Sequence, residues 1–197
     1  MATLLVVGAL FPMSASAQDD RGSCFRESGD KAISACNRAI KANPKDAQAY
    51  YSRGVEWRKK GQYGKAIADY SEAIRQDPTY VNAYYNRGIA WSNTGDSAKA
   101  IADYDEAIRR NPNFANAYYN RGIAWETKGN LQQALSDFRR FAELNPSDSD
   151  GLRAIARVAP ASEKSPPSQA VQAPQQQQAA VQPQAQTPVV VGQGKDR

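Results

Sequence analysis

Residues 81–114 read VNAYYNRGIAWSNTGDSAKAIADYDEAIRRNPNF, and this stretch decides the fold. The segments on either side, 47–80 and 115–148, repeat its pattern without a gap. The motif Tyr-Tyr-x-Arg-Gly-x-x-Trp begins at residues 50, 84 and 118, a period of 34 residues. A fixed period of this length is typical of stacked supersecondary units, so the centre of the chain is predicted to be a repeat array.

The apolar spacing within one repeat predicts two helices. Tyr84, Gly88 and Trp91 are four and three residues apart and share one face of a first helix, while Ala100 and Tyr104 begin the face of a second. A glycine between the two patterns suits a helix C-terminal cap, and a proline after the second prevents its continuation. Each repeat is therefore predicted to be an antiparallel helix pair, in which Gly88 and Ala100 let the backbones approach while Trp91 and Tyr104 fill the flanks.

Arginine and aspartate recur with the same period. An arginine precedes each first-helix glycine, and an aspartate precedes each second-helix aromatic residue; these are Arg53, Arg87 and Arg121, and Asp69, Asp103 and Asp137. The matched numbers favour an ion pair that links the two helices at the edge of the packed layer. The alternative is a row of arginines that binds an anion.

These residues resemble the tetratricopeptide repeat family, whose pattern is a small and an aromatic residue on the first helix, then Ala, aromatic, Ala and Pro. The matching positions are Gly54, Trp57, Ala66, Tyr70, Ala73 and Pro78, then Gly88, Trp91, Ala100, Tyr104, Ala107 and Pro112, then Gly122, Trp125, Ala134, Phe138 and Pro146. Phe141 stands where the third repeat should have its second alanine. The resemblance implies an all-α, right-handed superhelical solenoid with a concave groove lined by first helices, which binds peptides or partner proteins and is not an enzyme.

The chain divides into seven predicted segments. They are a signal peptide (1–17), a degenerate N-terminal helix pair (18–46), three full repeats (47–80, 81–114 and 115–148), a C-terminal capping helix (149–158) and a disordered Pro/Gln-rich tail (159–197). The tail has no helical or strand periodicity and too few apolar residues to bury.

The N-terminus predicts export. An apolar run over residues 4–11 is too short to span a bilayer and is followed by Ala15-Ser16-Ala17, a form that signal peptidase cleaves. We therefore expect cleavage after Ala17 and a periplasmic or secreted product in a bacterial cell envelope. The alternative is a buried N-terminal helix.

The concave groove is predicted from a second stripe on the first helices, beside the packing stripe. Asparagine can donate and accept for a peptide backbone, and tyrosine adds contact area, so this stripe is a candidate peptide site. Its members are Gln48, Tyr51, Ser52, Asn82, Tyr85, Asn86, Ile89, Asn93, Asn116, Tyr119, Asn120 and Ile123. The alternative is solvated filler between helices. One subgroup of the family clamps a C-terminal carboxylate with Lys and Asn, where this chain has Tyr51 and Val55, so that clamp is not expected.

Cys24 and Cys36 are the only cysteines. Cys36 occupies the core position of Tyr104 in its repeat, and an antiparallel helix pair could bring Cys24 opposite it. In an exported protein the two are predicted to form a disulfide. The alternative is a pair of buried free thiols.

Composition excludes several classes of function. The chain has no histidine, which removes Ser-His-Asp and Cys-His catalysis, and two cysteines cannot close a zinc site. The chain has a net charge of +5, but its lysines and arginines are interleaved with aspartates and glutamates, so nucleic-acid binding is not expected. We predict a non-catalytic interaction module or scaffold for a peptide or protein, with no cofactor, no metal and no membrane span. A self-associating structural or envelope-tethering protein is the alternative, and the oligomeric state stays open.

Overall fold

The structure, a computed structural model, describes residues 15–162. Residues 1–14 of the predicted signal peptide (1–17) and residues 163–197 of the predicted tail (159–197) lie outside the described residues. Within 15–162 the chain forms nine helices and no strand, which confirms the all-α prediction. The helices are α1 (Ala15–Arg26), α2 (Gly29–Ala42), α3 (Ala47–Lys59), α4 (Tyr63–Gln76), α5 (Val81–Asn93), α6 (Ser97–Arg110), α7 (Ala115–Thr127), α8 (Leu131–Leu144) and α9 (Ser149–Ser162).

The helices stack in series. Each helix packs against the next one in the chain, and the first helices α3, α5 and α7 also contact one another across repeats. Because the first helices are close enough to touch, they form the inner, concave wall of the array. At the turn between α5 and α6, Gly95 has φ of 84°. Only glycine adopts this left-handed conformation without strain, and Asp96 then caps α6 through the backbone N–H of Lys99.

The close approach of the two helices in each repeat depends on a glycine under an aromatic ring. Tyr104 of α6 is 1 % exposed and lies directly over Gly88 of α5. A Cβ atom added at Gly88 would lie 2.6 Å from Cε1 of Tyr104, closer than such atoms can approach. The same arrangement recurs at Gly54 and Gly122. The predicted role of these glycines in packing is thereby confirmed.

Phe141, the one departure from the repeat pattern, is accommodated by a second departure. Its side chain is buried on α8, where the first two repeats have Ala73 and Ala107. The facing helix α9 has Gly151 where α7 has Ala117, and a Cβ atom at Gly151 would be 2.8 Å from Cδ1 of Phe141. The large residue on one helix is therefore matched by the small residue on the next.

The capping helix is longer than predicted, because α9 continues past residue 158 to Ser162. Ala154 and Val158 of α9 are buried against α8, where they pack on Phe138. Pro160 lies inside the helix and removes one backbone donor near its C-terminal end. The buried Val158 holds the preceding turn in place, so the proline does not end the helix there.

The recurring Arg–Asp pairs confirm the predicted ion pair. Nε and Nη2 of Arg87 donate to the two carboxylate oxygens of Asp103 at 2.8 and 2.7 Å, and Nη1 donates to Ser71 at 2.9 Å. One arginine therefore links α4, α5 and α6. Arg53 and Arg121 form the same bidentate pairs in their repeats.

The N-terminal pair is covalently linked, as the sequence predicted. Cys24 of α1 and Cys36 of α2 form a disulfide, with their Cα atoms 4.6 Å apart. Both cysteines are buried, in a cluster that also contains Ala49 of α3. The disulfide therefore ties α1 to the helix against which the first full repeat packs.

Candidate functional site

Eight of the twelve predicted groove residues lie in three rows on the concave wall, Ser52, Asn86 and Asn120 form a fourth row, and Asn93 lies further along α5. Equivalent positions of α3, α5 and α7 recur every 34 residues, so residues of the same kind line up across the repeats. The tyrosine row is Tyr51, Tyr85 and Tyr119, the aliphatic row is Val55, Ile89 and Ile123, and the amide row is Gln48, Asn82 and Asn116.

The tyrosine row is partly a packing element. The ring of Tyr85 lies 4.7 Å from that of Phe114 and 6.0 Å from that of Tyr104, measured between centroids. Tyr51 and Tyr119 pack in the same way on aromatic residues of their own repeats. Burial raises the pKa of the Tyr85 hydroxyl, although a hydrogen bond from Asn120 acts in the opposite direction. Only part of each ring is therefore available to a ligand.

Asn86, which is buried, and Asn120, which is half-buried, connect neighbouring first helices. Nδ2 of Asn86 donates to the Tyr51 hydroxyl at 3.0 Å and to the backbone oxygen of Asn82 at 2.9 Å. Nδ2 of Asn120 donates to the Tyr85 hydroxyl at 2.9 Å. Both N–H donors of Asn86 are therefore engaged within the protein, and only its oxygen is left to accept from a ligand. From the sequence, we expected both the N–H donors and the oxygen acceptor of this side chain to face a ligand.

The amide row is the most accessible part of the wall. Gln48, Asn82 and Asn116 are exposed, and their side chains form no hydrogen bond within the described part of the chain. Two turns further along α7 than Asn116, Ile123 is 40 % exposed. Asn93 is exposed as well, but its amide donates to the Ile89 carbonyl at 2.8 Å. The wall therefore presents free amides and one exposed aliphatic side chain on the same face, whereas Val55 and Ile89 are half-buried.

A cleft of about 260 Å³ forms the N-terminal end of the wall, between α1 and α3. Its lining includes Tyr51 and Ser52 of the predicted stripe, together with Val55. It also contains Glu56, which sequence reasoning missed. This carboxylate is 6 % exposed and accepts from the backbone N–H of Gly29 at 2.8 Å, where the positive end of α2 stabilises it.

Alignment of the repeats could have revealed Glu56, because the equivalent residues of the second and third repeats are alanines, Ala90 and Ala124. A second break occurs at Arg58, where the later repeats have Ser92 and Glu126. Arg58 is half-buried, and its positive charge acts on the hydroxyls of Tyr51 on the wall and of the buried Tyr70 of α4. Neither residue belongs to a recognisable motif, so only comparison between the repeats could have found them.

At its other end the wall is continued by α9. Arg157 occupies the position after Ile123 in the aliphatic row, and its guanidinium donates twice to Glu126 at 2.8 Å. Within residues 15–162 no group of three metal-ligating side chains occurs. None of the helices described there is both long enough and apolar enough to cross a membrane.

Two family models match the chain. The model described as "TPR repeat" covers residues 56–95, and the model described as "Tetratricopeptide repeat" covers residues 85–149. Together they extend from the first full repeat to the start of α9. No curated protein sequence matches the chain significantly.

Solved structures with the same architecture include peptide complexes. The first TPR of Spaghetti (RPAP3), bound to the HSP90 peptide SRMEEVD, is 26% identical with a TM-score of 0.58 and covers 59% of this chain and 93% of its own. The second TPR domain of human RPAP3, in complex with the HSP70 peptide SGPTIEEVD, is 26% identical with a TM-score of 0.56. The match covers 57% of this chain and 94% of the RPAP3 domain. MamA 41-end from Desulfovibrio magneticus RS-1 is 18% identical with a TM-score of 0.71, covering 78% and 90%, and shows the likeness of fold alone.

Proposed function

Because the repeat array of this chain belongs to the tetratricopeptide repeat family, we propose that its concave wall binds an extended segment of a partner protein and catalyses no reaction. Two RPAP3 repeat domains of similar sequence are solved with short peptides bound. Those structures support peptide binding as the general mode of action and leave the partner of this chain open.

The observation that carries the proposal is the free amide row on the same face of the wall as the exposed Ile123, with the half-buried tyrosine row between them. Gln48, Asn82 and Asn116 can each donate and accept, as the backbone of an extended peptide requires. Ile123, two turns further along α7 than Asn116, and the half-buried tyrosine rings supply apolar contact. Apolar contact area edged by polar groups is typical of an interaction surface.

Peptide selection on the full-length protein tests this function. A displayed library of random dodecapeptides should yield binders, and their affinity should fall at least about tenfold in the variant Asn116→Ala/Ile123→Ala, because two central contacts are lost. Arg109→Gln is the matched control, since this side chain lies exposed on a second helix. Failure to select any peptide, or binders that the double variant does not affect, would contradict the proposal.

We also propose that the protein works in an oxidising compartment, as an exported component of a bacterial cell envelope. The leader-like sequence up to Ala17 and the disulfide between Cys24 and Cys36 support this location. Cell fractionation, with alkylation of free thiols under denaturing conditions, tests it. We expect the processed chain in the periplasm or medium with no reactive thiol, and a reduced, unprocessed cytosolic chain would count against export.

Self-association is the second candidate function. Leu152 of α9 is 60 % exposed on the last helix of the described array, where an apolar side chain gains from being covered by another copy. Light scattering across a range of concentrations distinguishes the two functions. A mass that rises with concentration in the wild type and not in Leu152→Gln would favour the structural role.

A further inference from the structure

Arg58 lies on the concave wall in the same stripe as the predicted groove residues. It follows Tyr51 by seven residues and Val55 by three, so the three side chains share one face of α3. Its positive charge acts on the hydroxyls of Tyr51, Tyr70 and Tyr85, which come from three different helices. The guanidinium is therefore within electrostatic reach of tyrosines from both the first and the second repeat.

Arg58 has no acidic partner within residues 15–162, in contrast to the arginines of the Arg–Asp pairs. The nearest acid in sequence, Glu56, is engaged by the backbone of Gly29 and by Lys59 at 2.6 Å. Its two interactions hold it at the start of α2, away from any hydrogen bond to Arg58. The positive charge on this part of the wall is therefore uncompensated.

Two polar atoms at this place are buried without a hydrogen bond. They are Nε of Arg58 and the hydroxyl oxygen of Tyr70. In the second repeat, the equivalent hydroxyl of Tyr104 lies 3.3 Å from the hydroxyl of Ser92, so the pair there is satisfied. A buried donor without a partner is unfavourable, and the cost is larger for a charged group. Neither atom is open to a ligand, and Arg58 itself interacts with the Tyr70 hydroxyl, so the guanidinium offers a ligand its positive charge and its two terminal nitrogens.

A carboxylate is the group that fits this place. A guanidinium donates two parallel N–H bonds to a carboxylate, and the single positive charge matches a single negative one. The tyrosine hydroxyls around Arg58 can contribute further donors. The wall extends beyond Arg58 in both directions, to the cleft beside α1 and to α5, α7 and α9. A bound segment therefore continues past this point, which favours an acidic side chain over a chain terminus.

We propose that Arg58 receives an Asp or Glu side chain of the extended partner segment, so that the wall selects acidic peptides at one position between the first and second repeats. This inference rests on the proposed peptide-binding function. It adds a definite requirement to that function, because a wall of amides and aliphatic residues alone would not discriminate between glutamate and glutamine.

Selection from the random dodecapeptide library tests the requirement. Peptides selected on the wild-type protein should share an acidic residue at one position, and peptides selected on Arg58→Ser should not. Serine is a conservative choice because Ser92 occupies the equivalent position of the second repeat. The control Arg109→Gln removes an exposed arginine of α6 and should retain the acidic preference.

Affinity measurements on one selected peptide then complete a double-mutant cycle. Replacing its glutamate by glutamine should weaken binding to the wild type by about 10- to 100-fold and binding to Arg58→Ser by less than about threefold. Amidating the C-terminus of the peptide should change neither affinity. A loss on amidation instead would identify the chain terminus as the ligand and overturn the side-chain assignment.

The outcomes separate this inference from the proposed function. If the library yields binders without an acidic preference, peptide binding stands and the role of Arg58 is wrong. If it yields no binder at all, the proposed function itself fails. If Arg58→Ser loses stability but keeps the acidic preference, the arginine has only a structural role, and thermal unfolding of each variant identifies that case.

Discussion

Replacing Gly88 by alanine should destabilise the protein, although alanine is the better helix former. Gly88 lies inside α5 with ordinary helical backbone angles, so the propensity change alone would stabilise by about 1 kcal/mol. The new Cβ atom, however, would lie 2.6 Å from Cε1 and 2.9 Å from Cδ1 of Tyr104. That ring is buried and cannot move aside without displacing α6.

The magnitude follows from these two opposing effects. Overpacking a close-packed core costs about 1–3 kcal/mol, and a separation this short belongs at the upper end of that range. After the propensity gain, we expect Gly88→Ala to lower the free energy of unfolding by about 1–2 kcal/mol. For an array of this size the melting temperature should fall by roughly 3–8 °C.

Gly64→Ala is the matched control. Gly64 lies in α4, and an added Cβ atom there would have nothing within 4 Å. This variant should be as stable as the wild type or more stable by up to about 1 kcal/mol. Urea unfolding followed by circular dichroism at 222 nm measures both. A Gly88→Ala protein at least as stable as the wild type, in an experiment where Gly64→Ala behaves as expected, would refute the assigned contact between α5 and α6.

Three further predictions concern stability. The variant Cys24→Ser/Cys36→Ser should have a free energy of unfolding in urea that is lower by about 3 kcal/mol, because the unfolded chain has more conformational entropy without the cross-link. An unchanged urea midpoint would mean that the disulfide does not stabilise the protein. Asp103→Asn should lose about 1–3 kcal/mol, since it breaks a bidentate pair at a carboxylate that is 5 % exposed, whereas the exposed Glu106→Gln should lose less than about 1 kcal/mol. Burial raises the pKa of Tyr104 from 10.0 to about 12, so the native state keeps a proton that the unfolded state releases. Stability should therefore fall as the pH rises from 10 to 12, by up to about 3 kcal/mol for this group, and the slope should be shallower in Tyr104→Phe.

The repeat array could be predicted because its determinants are local and occur three times. The pattern of small and aromatic residues in 81–114 specifies two helices and the faces on which they meet. Stacking then follows, because one helix pair alone cannot bury its apolar faces. The structure accordingly has the helices where the spacing predicts them, apart from the longer α9.

The details of the candidate site were less accessible, because they depend on side chains far apart in the chain. The sequence places Asn86 on the inner face of its helix, but the hydrogen bond to Tyr51, 35 residues away, depends on the offset between neighbouring repeats. The same offset brings Arg58 close enough for its charge to act on the Tyr85 hydroxyl. Alignment of the three repeats shows that Arg58 and Glu56 differ from the equivalent residues of the later repeats, but it does not indicate what either side chain contacts.

The sequence by itself determined the helix pairs, their order and the face that forms the inner wall, because periodic spacing is read along one helix at a time. Only the tertiary structure decided how the exceptions are accommodated. Phe141 fits because Gly151 of the next helix leaves room for its ring. Glu56 is satisfied because the start of α2 lies against α3. Both contacts depend on the distance and angle between helices, which many side chains set together and no single segment of sequence specifies.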